Sequence, residues 1–367
     1  MPDVDVAILG AGCAGLSLAM RLAGSGLSVR LVDPRTSYGN DRTWSFWRTA
    51  PHPWEPLVRK SWARWSVAGP TGTVERRSTR MPYQTLEAHA VYDAARAEID
   101  GDPDLHLALG VSASGVRPTA AGTFVDSSDG GFTAARVIDT RPPRRTASMS
   151  QVFVGQEIVT DTPVFDSDVV RLMHFRHGHS DGVDFLYVLP FAPDRALVEV
   201  TSFARTLPDR GVLSAWLEAE IAALGAGGHA VVRTEAGCLP MEVGFRAPPV
   251  RGVVHMGLAG GAARPATGYA FQRIQAQADR MAAHLIAGTA PRPPRDGPIL
   301  RAMDAIFLRV LASQPRAGPA HFQTLFERVP PERLERFLSG SRRTDDRLAV
   351  VTALPPAPFL AAAAGLG

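Results

Sequence analysis

Two groups of residues carry chemistry in this sequence. Gly10, Gly12 and Gly15, in Gly10-Ala-Gly12-Cys-Ala-Gly15, have the spacing of a turn that cradles a pyrophosphate. The first glycine permits the tight turn, the second admits phosphate to the backbone, and the third lets helix and strand pack closely. The N–H groups opening the helix then face the anion. Asp33 follows Gly15 by 18 residues, near the ~20 at which a carboxylate meets ribose hydroxyls. An acid there disfavours the 2′-phosphate of NADP. The second group is one side chain. Glu199 is the only charged residue between Ala196 and Phe203, in ALVEVTSF. A carboxyl in apolar company is desolvated, which raises its pKa toward neutrality. Proteins keep a carboxylic acid protonated as a donor in this way; a strand glutamate that reaches water or an arginine is the plainer alternative.

The surrounding elements must position these groups. Val4 to Leu9 is an apolar run suited to a strand buried on both faces. A helix from Ala14 to about Leu22 stops at Gly24 and Gly26, and Leu27 to Val32 forms the next strand. Further strands are expected at Leu105 to Val111 and Arg136 to Asp139, with antiparallel strands across 151–203. Leu213, Trp216, Leu217, Ile221 and Leu224 share one face of a helix within 212–226. Val253 to Gly257 runs into another glycine turn, and helices follow within 270–288 and 298–340.

Residues 184–203 read as a hairpin around a four-residue turn, Ala192 to Arg195. The simplest register pairs Phe191 with Ala196 and sets Glu199 opposite Val188, among Leu186, Leu197 and Thr201. Tyr187, Leu189, Val198 and Val200 fall on the other face, so both faces should be covered. Pro190 marks an edge or a bulge in the first strand.

Composition narrows the classes. The chain has 367 residues, 45% hydrophobic and 20% charged, as expected of a folded globular protein of roughly two domains. Net charge is only +3, with a single lysine (Lys60) and no long basic run, which argues against nucleic acid. Cys13 and Cys238 offer no metal-ligand pair and no disulfide framework. No stretch nears the ~20 apolar residues that span a bilayer, and the N-terminus lacks a signal-peptide pattern. A cytoplasmic location is expected. Five of six tryptophans (Trp44, Trp47, Trp54, Trp62 and Trp65) fall within 22 residues, as core aromatics, a long apolar pocket or a membrane-facing belt. The basic stretches 76–80 and 141–146 read as solvated faces.

The segment 257-GLAGGAARPATGYAFQ-272 is similar to the element with which FAD-dependent oxidoreductases of the glutathione-reductase-like class close over their flavin. It favours FAD over NAD. The expected fold is α/β: a discontinuous Rossmann-like FAD-binding domain (1–45, 85–145 and 246–290) interleaved with an antiparallel β substrate domain (46–84 and 146–245). A C-terminal helical region (291–367) completes it.

Longer segments carry a more specific resemblance. The start DVAILGAGCAGLSLA, Arg42-Thr43-Trp44-Ser-Phe-Trp47, VIDTRPP, 152–176, 187–203, 264-RPATGY-269 and 323–340 together resemble the bacterial lycopene β-cyclases. That resemblance implies a redox-neutral isomerisation, in which the acyclic ψ-ends of lycopene close to β-ionone rings, through γ-carotene to β-carotene. It implies FAD in reduced form, with NAD(P)H as ultimate reductant, and peripheral contact with the inner face of the cytoplasmic membrane. It implies Glu199 as proton donor, within a motif that reads Glu-Asp-Thr in the family and Glu199-Val200-Thr201 here. The implied flavin contacts add Arg42, Val111, Gly257, Pro265, Thr267 and Gly268, and the implied substrate pocket holds Trp44, Trp47, Tyr187 and Tyr269. Two other classes share these features: an FAD-dependent monooxygenase of a lipophilic substrate, and a non-catalytic flavin- or carotenoid-binding protein. The monooxygenases usually carry an aspartate in the second flavin motif, where this chain reads Gly260-Gly261-Ala262-Ala263.

Overall fold

A computed structural model describes residues 1–143, 146–176 and 181–365; Arg144 and Arg145, within the basic stretch 141–146, lie outside them. The first strand is Val4–Leu9, and it alternates as its apolar sequence requires. Val6 and Ile8 pack toward one layer and Ala7 and Leu9 toward another, so both faces are buried. Parallel partners flank it: Val29–Asp33 and then Leu105–Leu109 on one side, Phe132–Asp139 and then Val253–His255 on the other. Helices Cys13–Leu22, Ala88–Asp100 and Phe271–Ile286 cover one face. The antiparallel pair Ala113–Thr119 and Gly122–Ser127 extends the sheet at the start of Phe132–Asp139. This is a mixed α/β fold with a Rossmann-like parallel sheet.

A second, mostly antiparallel sheet runs in the spatial order His229–Pro240, Ser150–Thr160, Arg195–Ala204, Val183–Ala192, Val169–Arg176, Arg64–Gly69, Gly72–Arg77. One face lies under helix Arg210–Ala223, where Leu213, Trp216, Leu217 and Ile221 meet Leu186, Val188, Val198 and Val200. The opposite face carries Phe185, Leu189, Leu197 and Phe203, and it packs against the C-terminal helices. Pro298, Pro331 and Pro356 each open one of those helices, where a missing N–H costs no hydrogen bond. A three-stranded sheet of Thr43–Trp47, Tyr83–Glu87 and Val58–Trp62 completes the strands described.

The hairpin differs from its sequence expectation in two ways. Its turn is two residues, Pro193-Asp194, and Glu199 pairs with Tyr187, whereas the simplest register gave Val188. Pro190 pairs with Ala196 and Ala192 with Arg195, so Phe191 is the extra residue of a bulge. Proline donates no ladder hydrogen bond, which makes this the natural point for the strand to slip. One residue of slip exchanges every side chain's face. Glu199 therefore shares its face with Phe185, Tyr187, Leu189, Leu197 and Thr201. Both faces are covered, as the sequence required.

Candidate active site

One cavity of about 1020 Å³ runs from the glycine turn at the carboxyl ends of the parallel strands to the last helices of the chain. That is the upper end of the range for ligand pockets, about 300–1,000 Å³. Gly10, Gly12, Asp33, Arg42, Gly257, Thr267 and Gly268 line it. Gly10 turns with φ +94°, and a Cβ on Gly15 would lie 2.0 Å from the Gly10 carbonyl oxygen. Those two glycines serve the fold. Gly12 is different, because a Cβ there would meet nothing nearer than Arg35 Nη2 at 3.9 Å. Its bare Cα widens the cavity wall where Cys13–Leu22 begins, a helix with no side-chain cap on its N-terminal N–H groups. Asp33 Oδ2 accepts from the Ala11 N–H at 2.7 Å, and Oδ1 accepts from the Arg35 N–H at 2.9 Å. This cradle fits the pyrophosphate and ribose of a dinucleotide such as FAD. Gly15, Val111 and Pro265 are not among the lining residues. The Val111 N–H donates instead to the Asp33 carbonyl at 3.1 Å.

Further along the wall, Trp44, Tyr187 and Tyr269 face the cavity, and the Tyr83 and Tyr187 hydroxyls lie 3.1 Å apart. Trp47, expected in the pocket, is 1% exposed behind that wall, stacked at a tilt on Tyr83 and edge-on to Trp65. It backs the cavity-lining Tyr83. Trp54, Trp62 and Trp65 are also buried, so Trp44 alone of the cluster lines the cavity and none forms a membrane-facing belt.

Glu199 also lines the cavity and is 7% exposed. Burial pushes its carboxyl up to about 8, reinforced by the charge of Glu235 and opposed by Thr201 and Arg233. The Thr201 hydroxyl donates to Glu199 Oε1 at 2.8 Å. Across the sheet, Tyr187, Glu199, Gly155 and Glu235 form one row, each paired with the next. Gly155 has no side chain to separate the two carboxyls; a Cβ there would come within 3.3 Å of Glu199 Cβ. Glu235 Oε2 accepts from Thr43 Oγ1 at 2.8 Å and from Arg233 Nη1 at 2.6 Å. Arg233 also donates to Glu157, which Arg59 and Arg195 hold as well. Burial alone would raise the Glu157 carboxyl, but these guanidiniums hold it down to about 2. An un-ionised acid and an ion-paired carboxylate thus stand side by side in an aromatic wall.

The model of the family described as "Lycopene cyclase protein" matches residues 5–364. The chain belongs to the lycopene cyclase family. It is 32% identical to the lycopene beta-cyclase of Paracoccus sp., covering 97% of this chain and 95% of that one. It is 26% identical to the lycopene beta-cyclase of Pantoea ananas, covering 98% and 97%. Among solved structures it resembles a geranylgeranyl bacteriochlorophyll reductase-like protein from Thermoplasma acidophilum (TM-score 0.64, 13% identity, 98% and 96% covered). It also resembles p-nitrophenol 4-monooxygenase from Pseudomonas putida (TM-score 0.61, 14% identity, 96% and 98% covered). Those two likenesses concern the fold alone.

Against the motif that the sequence resemblance implies, Val200 is the departure. Val200 is fully buried on the opposite face, under helix Arg210–Ala223, so no side chain at 200 reaches the cavity. Sequence reading missed Glu235, Tyr83 and Arg35 on the cavity wall. The alternation Arg233-x-Glu235-x-Gly237 within a strand was the available signal for Glu235.

Proposed function

We propose that this chain is an FAD-dependent lycopene β-cyclase that closes ψ-end groups to β-ionone rings without net redox change. One observation carries the reading: a desolvated carboxyl, Glu199, on the wall of a long aromatic cavity that begins at a dinucleotide cradle. The names of the Paracoccus and Pantoea relatives support the substrate. Gly12, Asp33, Arg42, Gly257, Thr267 and Gly268 would hold FAD. When bound and reduced by NAD(P)H, a flavin held there would supply an electron-rich ring that stabilises developing positive charge.

The chain's own residues do the rest. Glu199 gives its proton to C2 of the terminal alkene, leaving a tertiary cation at C1. The C5=C6 double bond attacks C1, closing the ring and moving the charge to C5. Loss of the C6 proton forms the β-ionone double bond. Tyr187, Tyr269 and Trp44 line the cavity and offer aromatic faces to the cation. Water exclusion by the C-terminal helices preserves the cation long enough to cyclise.

We further propose that residues 1–45, 85–145 and 246–290 form the flavin unit and 46–84 with 146–245 the substrate unit. The helical region after 291 then forms the substrate's door. No helix among the described residues is long and apolar enough to cross a membrane. Val351, Leu354, Phe359 and Leu360 line the far end of the cavity, and Val351 and Leu360 are 58% and 67% exposed. That apolar rim suits peripheral contact with the inner face of the cytoplasmic membrane, where a rod-like hydrocarbon resides.

The test is anaerobic. Protein reduced with dithionite is given lycopene in vesicles, and the pigments are separated. Ring formation without oxygen supports the cyclase. Oxygen-dependent hydroxylated product supports a monooxygenase, and release of unchanged lycopene supports a carrier.

A further inference from the structure

We propose that Glu235 is the base that removes the C6 proton, completing a proton cycle with Glu199 across Gly155. This rests on the cyclase reading above and assigns the step which that reading leaves without a residue. Glu199 and Glu235 both pair with Gly155, on opposite edges of the strand Ser150–Thr160. Two strand spacings separate their Cα atoms, roughly 9–10 Å. Directly paired residues share a face, and both side chains line the cavity. A side chain at 155 would stand between them; glycine leaves that space open.

The two carboxyls differ in what they can do. Glu199 Oε1 accepts from Thr201, and among the described residues Oε2 takes no hydrogen bond, which leaves it to carry the proton to be given. On Glu235, both the Thr43 and the Arg233 hydrogen bonds fall on Oε2. Among the described residues Oε1 takes no hydrogen bond, so its lone pairs face no competitor. The ion pair with Arg233 supplies a carboxylate at the moment of ring closure. A carboxylate is a sufficient base for a proton beside a tertiary cation.

The atoms balance. C2 gains the proton of Glu199; the C1–C6 bond forms from the C5=C6 pair. The C6–H bond then breaks, its electrons make the ring C5=C6 bond, and the proton goes to Glu235 Oε1. Transfer of that proton from Glu235 to Glu199 across the gap at Gly155 restores both groups. C2 and C6 are separated only by C1, which matches an acid and a base that are neighbours on one wall.

A cation at C5 has three kinds of adjacent hydrogen, on C4, on C6 and on the C5 methyl. The position of the base selects among them, so the ring's double bond reports the base directly. The experiment compares wild type, Glu235→Gln and Glu235→Asp, each reduced and flavin-loaded, on lycopene in D2O, with ring type and label read by NMR. Wild type gives β-rings carrying one deuterium at C2. Glu235→Gln is expected to lower β-ring formation at least tenfold, with rings unsaturated at C4–C5 or at the methyl appearing in its place. Glu235→Asp restores the β-ring. Unchanged β-ring yield from Glu235→Gln would overturn the proposal, and so would loss of all rings in both variants with flavin still bound. If wild type itself forms no ring, the cyclase reading fails instead.

Discussion

Tyr187 stands directly across the strand pair from Glu199, and the pairing turns the carboxyl into the aromatic cavity instead of the layer beneath helix Arg210–Ala223. A one-residue bulge at Phe191 decides this. Burial on that face keeps the carboxyl protonated well above the usual carboxylate range, to about 8.

Activity should follow that proton. Cyclisation is expected to hold steady from neutral pH to about 8 and to fall above it, as Glu199 ionises. The sign for stability is the same. Below about 4.5 the carboxyl is protonated in folded and unfolded chains alike. Between about 4.5 and 8 only the folded chain holds the proton, so stability falls as pH rises, and above 8 the loss is complete. Denaturant titrations of Glu199→Gln should show a gain over wild type that grows across this window and vanishes at its acid end. A constant difference at all pH values would contradict the assignment.

The glycine cradle separates fold from binding. Gly12→Val should fold with a normal unfolding temperature, because a Cβ there meets nothing nearer than Arg35 Nη2 at 3.9 Å, yet flavin binding should fall at least 100-fold, because a side chain blocks backbone approach to the pyrophosphate. Gly15→Val should fail to fold, since its Cβ would meet the Gly10 oxygen at 2.0 Å. Flavin absorbance per chain and thermal melts check both. Stoichiometric flavin in Gly12→Val would remove the cradle from the site.

Glu157→Gln should destabilise the chain by about 3–5 kcal/mol at pH 7, because it strips the buried partner from three guanidiniums. In wild type the carboxylate's contribution is present above about 4.5 and lost as pH falls through about 2. Urea titrations at neutral pH and near pH 3 measure it. Equal stability of the variant at neutral pH would contradict the network.

The rim at the end of the cavity gives a membrane prediction. Val351→Glu with Leu360→Glu should weaken co-sedimentation with anionic vesicles at least a hundredfold, given about 1.5–3 kcal/mol for each of the two apolar side chains buried. Activity on detergent-dispersed lycopene should change less. Undiminished vesicle binding would move the contact elsewhere.

The sequence carried the parallel sheet plainly, because Val4 to Leu9 is apolar on both faces and runs into Gly10. It also marked Glu199, a lone charge in an apolar strand. The register was not legible, since it turns on which residue next to Pro190 bulges out. Glu235 was hidden for another reason: only the pairing of Ser150–Thr160 with strands on both sides brings 199 and 235 together. Tryptophan density did not distinguish Trp44, on the cavity, from Trp47 behind it, because both belong to one short strand.

The most direct measurement is lycopene turnover by flavin-loaded, reduced Glu199→Gln under argon. The account predicts full flavin occupancy, a wild-type fold and a rate lowered at least 100-fold, the scale of one general acid. Rings formed at the wild-type rate would show that the proton comes from somewhere else.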